Sequence, residues 1–110
     1  MVMQRLCIPA VALASLAALL PATPAAAAPR TYTVVMDKMK FGPVPQVKVG
    51  DSILWVNHDI LKHSATARDG SFNIDLPAGA KARMVVRKAG AIAFYCRYHP
   101  GMRGILSVAR

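Results

Sequence analysis

The run FYCRYHPGM, Phe94 to Met102, sets a cysteine, a histidine and a methionine three residues apart. A thiolate and an imidazole suit copper, zinc or iron, and a thioether adds a preference for copper. Structural zinc sites need only Cys and His. Covalent haem attachment needs a second cysteine beside the histidine, which this run lacks. Pro100 fixes one φ and Gly101 opens others, so the run can close into a tight turn that aims Cys96, His99 and Met102 at one point. Taken singly, these residue types are ordinary core filler or surface residues. Their joint spacing favours ligation.

A closed site needs a fourth donor. The other histidines are His58 and His63, both shortly after SILWVN. Two histidines, one cysteine and a weak, long axial methionine make the trigonal blue-copper set. Such geometry lies between the preferences of Cu(I) and Cu(II), so little has to move when one electron is gained or lost. The chemistry expected is outer-sphere electron transfer, with no bond made at the metal.

The elements that must position these residues are short. After residue 30, segments rich in β-branched and alternating residues are punctuated by Gly, Pro and Asp. Strands are expected at Thr31–Met36, Gln46–Val49, Ser52–Asn57, His63–Ala67, Ala80–Val86, Ala91–Cys96 and Gly104–Ala109. Pro43 and Pro45 interrupt pairing after Phe41, and DGSFNIDLPAG reads as a loop-rich crossing. Short strands at close spacing without a sustained helical period indicate an all-β fold, a Greek-key β-sandwich in a single domain. Trp55 is expected in its core.

The first 28 residues read as a signal peptide. Arg5 precedes an apolar run from Leu6 to Leu20, followed by Pro21, Pro24 and Ala25 to Ala28, with cleavage expected near residues 25–27. Residues 29–110 are then the copper-binding domain, and the protein is expected in the periplasm with no membrane span once the signal is removed. Cys7 would leave with the signal, so Cys96 has no disulfide partner, and a bound metal would both protect the thiol and staple a small core. The chain carries 14 Lys and Arg against five acidic residues, a formal charge of +9. Removing Arg5 leaves +8 in residues 29–110, which favours anionic partners. Nucleic acid does not fit an exported chain whose basic residues are scattered with little aromatic interleaving.

Phe41 to Val108 resembles the cupredoxins, in particular their plastocyanin- and amicyanin-like branch. The resemblance rests on FGPVPQVKVGDSILWVN, HSATARDGSF, LPAGA and KAGAIAFYCRYHPGMRGILSV. It implies one type 1 copper held by His63, Cys96, His99 and Met102. Asn57 would tie the two ligand loops by hydrogen bonds, and the ring edge of His99 would serve as the electron port. Three residues depart from the pattern. Lys62 stands where relatives often have Pro, and Arg97 and Tyr98 replace a small hydroxyl residue and a Pro. The hydroxyl partner of Asn57 is thereby missing. The domain is also short, so a trimmed first strand is expected.

The function expected is a periplasmic blue-copper electron carrier, a monomer serving redox proteins, acidic ones by charge, such as a cytochrome c or a dehydrogenase. The alternative is a copper carrier or buffer protein using the same ligands. A copper enzyme would need further histidine-built centres, and only His58 is left to supply one.

Overall fold

The computed structural model describes residues 2–5, 7–21 and 27–110. Residues 25 and 26, within the expected cleavage region, lie outside the described residues. The described residues before Thr31 form no helix or strand, and apolar side chains such as Leu13, Leu16 and Leu19 are exposed there. Among the described residues, no helix is long and apolar enough to cross a membrane.

From Thr31 onward the chain folds as two packed sheets. The strands are β1 (Thr31–Asp37), β2 (Lys40–Phe41), β3 (Val47–Lys48), β4 (Ser52–Asn57), β5 (His63–Ala67), β6 (Asn73–Leu76), β7 (Lys81–Val85), β8 (Gly90–Tyr95) and β9 (Arg103–Ala109). One sheet has the order β2-β1-β4-β7 and the other β3-β9-β8-β5-β6. The chain changes sheet between β2 and β3, β3 and β4, β4 and β5, β6 and β7, and β7 and β8. These crossings leave β1 parallel to β4 and β3 parallel to β9, while the remaining pairs are antiparallel.

β1 pairs with β4 along its length, from Thr31 opposite Ser52 to Met36 opposite Asn57. One expectation is corrected. The crossing read as loop contains β6, because Asn73 to Leu76 finds an antiparallel partner in β5. A local pattern broken by Gly, Asp and Pro hides a strand whose pairing is set by tertiary context.

Alternation fixes the core. Val34 and Met36 of β1, Ile53 and Trp55 of β4, Phe94 of β8 and Leu106 of β9 are fully buried between the sheets. Phe94 sits at the centre, with ring centroids 4.8 Å from Phe41 and 5.3 Å from Trp55 in edge-to-face contact. Opposite Phe94 on β9 is Gly104, where a Cβ would lie 2.5 Å from the ring. Only glycine leaves room for the ring there.

One pairing decides where the chemistry sits. β5 and β8 are antiparallel, with Thr66 opposite Tyr95 and Ala67 opposite Phe94. The start of β5 therefore lies beside the end of β8. His63 opens β5 and Cys96 immediately follows β8, so residues 33 apart in sequence meet at one end of the sandwich.

Candidate metal centre

The segment after β8 is closed by its own backbone. The amide of Cys96 donates to the carbonyl of Met102 (3.0 Å), that of His99 to Cys96 (3.3 Å) and that of Met102 to His99 (2.8 Å). Two successive turns fold Cys96, His99 and Met102 into a compact loop. Cys96 is fully buried, Met102 nearly so, and His99 is half-buried.

His63 enters from β5 and is fully buried. The Cys96 Sγ lies 3.7 Å from Nδ1 of His63 and 3.7 Å from Nδ1 of His99, and the two Nδ1 atoms are 3.2 Å apart. Ligand atoms of His63, Cys96 and His99 all lie within 4.8 Å of one another, so three donors converge on one point. His58 is not among them. Its side chain is exposed, and its amide bonds the Met36 carbonyl, 2.8 Å away.

Asn57 is fully buried, but its side chain reaches partners other than the Cys96 loop. Its Nδ2 donates to the carbonyls of Leu61 (2.8 Å), Leu76 (2.9 Å) and Pro77 (3.3 Å), and its Oδ1 accepts the Asp59 amide (2.9 Å). It thus shapes the segment leading to His63 and fastens it to the end of β6. The link to the Cys96 loop comes from Ser64. The Ser64 amide donates to Cys96 Sγ (3.3 Å), and Ser64 Oγ accepts the Arg97 amide (2.8 Å). The link expected between Asn57 and a hydroxyl of the loop is thus replaced by one across the strand pair, in which Asn57 takes no part. The sequence signal was the serine directly after His63.

Arg97, Tyr98 and Lys62 share one partner. The Arg97 guanidinium bonds the Asp75 carboxylate, the Tyr98 hydroxyl donates to it at 3.0 Å, and Lys62 Nζ lies 3.7 Å from its other oxygen. The Lys62 ammonium also sits 4.8 Å from the Tyr98 ring centre. The Arg97 bond, and then the Tyr98 bond, hold the Asp75 carboxyl below its ordinary range. Residues on both ligand-bearing segments therefore meet on β6. On the inner side, His63 Nε2 is 2.7 Å from Asp59 Oδ2.

A buried thiol set against two imidazole nitrogens, with a buried thioether in the same loop, fits a soft, copper-selective centre. A structural zinc site would leave the thioether without a role.

The chain belongs to the cupredoxin-like domain family, whose model matches residues 9–108. Among its curated relatives is amicyanin from Paracoccus versutus, 30% identical, with the match covering 73% of this chain and 67% of that protein. Solved structures agree. Crystalline amicyanin from the same organism shares 26% identity at a TM-score of 0.61, covering 71% of this chain and 80% of that one. A Cu(I) form of an amicyanin mutant, also 26% identical, has a TM-score of 0.60 and covers 71% and 81%.

Proposed function

We propose that this protein is an exported blue-copper electron carrier. The observation that carries the reading is the convergence of His63 Nδ1, His99 Nδ1 and Cys96 Sγ from two separate segments of a cupredoxin sandwich. Copper is the cofactor, one per chain, with His63, Cys96 and His99 as the near ligands. Met102, buried in the same loop, would add its thioether to the set. Copper supplies a Cu(I)/Cu(II) couple, and the protein's task is to hold the same donors in place through both states. The backbone bonds of the Cys96–Met102 loop and the Ser64 amide on the sulfur do this.

His99 is half-buried while His63 and Cys96 are sealed, so its ring is the route by which an electron reaches a partner. The reaction is transfer between proteins rather than turnover of a substrate. The basic balance of residues 29–110 suits acidic redox partners, met by a monomer in the periplasm after removal of residues 1–28.

The test is an optical and EPR spectrum of the copper-loaded protein, followed by voltammetry. Intense visible absorption, a narrow copper hyperfine splitting and reversible one-electron cycling are expected, and Cys96→Ser should lose the colour. A colourless protein that binds only Cu(I) and passes it readily to an acceptor would establish the copper carrier or buffer instead.

A further inference from the structure

The hairpin between β1 and β2 turns through Lys38 and Met39, with φ of 52° and 61°. Both residues sit in the left-handed region, which the crowding of Cβ against the backbone carbonyl disfavours and which Asn-Gly or Gly-Gly pairs usually occupy in such turns. Successive amides in this conformation point the same way and form an anion-binding nest. The anion here is Asp59. Its Oδ1 accepts the Lys38 amide at 3.0 Å, and its Oδ2 accepts the Met39 amide at 3.0 Å. The Asp59 amide is itself held by Asn57 Oδ1.

The same Oδ2 lies 2.7 Å from Nε2 of His63, a ring that is fully buried, while the Asp59 side chain is 14% exposed. We propose that Asp59 is a positioning residue for the metal centre. Its carboxylate, gripped by the Lys38–Met39 turn, takes the Nε2–H of His63 and so presents Nδ1 as the free donor. The inference rests on the copper reading above.

The chemistry is constrained. A neutral imidazole carries one N–H and one lone pair, and an ionised carboxylate can only accept. The 2.7 Å contact therefore puts the proton on Nε2. The lone pair of Nδ1 then faces Cys96 Sγ and Nδ1 of His99, where a metal would sit. A carboxylate behind a ligating imidazole also makes it a stronger donor, which favours Cu(II) over Cu(I). The backbone of one hairpin thus reaches the centre through two hydrogen bonds in series, Met39 amide to Asp59 and Asp59 to His63. It is held in a conformation that its own two residues do not favour.

The test is Asp59→Asn in the full chain. An amide offers one acceptor oxygen where the carboxylate uses two, so either the turn or the ring loses its bond. The variant is expected to weaken Cu(II) binding about tenfold relative to Cu(I), a rise in reduction potential of about 59 mV. Nitrogen-15 NMR of the copper-free full chain should show His63 protonated at Nε2 in the wild type and mixed between tautomers in the variant. An unchanged potential together with an unchanged tautomer would overturn the proposal. If the variant does not fold, the wild-type spectrum decides alone, since a His63 carrying its proton on Nδ1 removes the premise. A wild-type chain that takes up no copper yet keeps Nε2–H at His63 would sink the copper reading and leave the Asp59 hold standing.

Discussion

The two segments that bring donors to the centre are built on opposite plans. The segment from Asn57 to His63 is held from within. Asn57 is fully buried and bonds three carbonyls, and the ring at its end is sealed from solvent. The loop from Cys96 to Met102 is held by its own backbone turns, by Ser64 at its first residues and by a clasp on the surface, where Arg97 and Tyr98 reach Asp75. Its histidine is half-buried. The difference gives the centre an inside and an outside: one histidine ring is sealed from solvent and the other is within its reach.

That asymmetry is most sharply broken by deleting each ring. His63→Gly and His99→Gly should both lose most of their copper affinity. Added imidazole should restore the colour of the His99 variant, whose gap opens to solvent, and leave the His63 variant unrestored, because its gap is closed. Equal restoration of both would show that the two histidines are equally reachable.

Next in size are changes that separate scaffold from centre. Gly104→Ala would press a methyl into the Phe94 ring, at an expected cost of about 1–3 kcal/mol by chemical denaturation. Its copper spectrum should be unchanged, because the strain falls in the core rather than at the loop. Ser64→Ala should cost about 1–3 kcal/mol for leaving the Arg97 amide without its acceptor. Unlike Gly104→Ala, it should also shift the absorption of the copper form, since the Arg97 amide is anchored beside the sulfur. Identical spectra for both variants would deny Ser64 its link to the Cys96 loop.

What could be read from the sequence follows the same division. Cys96, His99 and Met102 were legible because their spacing is local and one turn brings them together. His63 was singled out through the family resemblance, since residue types alone left His58 equally placed after SILWVN. The strand pattern gave the sandwich, because alternation reports directly which side chains face inward. Three things were not legible. Strand β6 depends on pairing with β5 and has no local signature. The roles of Ser64 and Asp75 depend on which strand lies beside the loop, which is information about pairs. The link between the two segments is expected from Asn57 to a hydroxyl of the loop, whereas the β5–β8 register makes it through Ser64 on the neighbouring strand.

The smallest effect concerns the surface clasp. Asp75 receives the Arg97 guanidinium and the Tyr98 hydroxyl, with Lys62 nearby, and all of these groups are exposed. Exposed pairs contribute little to stability. Its carboxyl is lowered from 3.8, first by Arg97 and then by Tyr98. The clasp is therefore whole above 3.8 and is lost as pH falls through the lower folded value. Tyr98 ring resonances should move with that acid step in the wild type and lose it in Asp75→Asn, while the unfolding midpoint at neutral pH barely changes. A Tyr98 titration that persists in the variant would mean that another group governs the outer loop. The contrast between a segment held from within and a loop clasped at its surface would then lose its outer half.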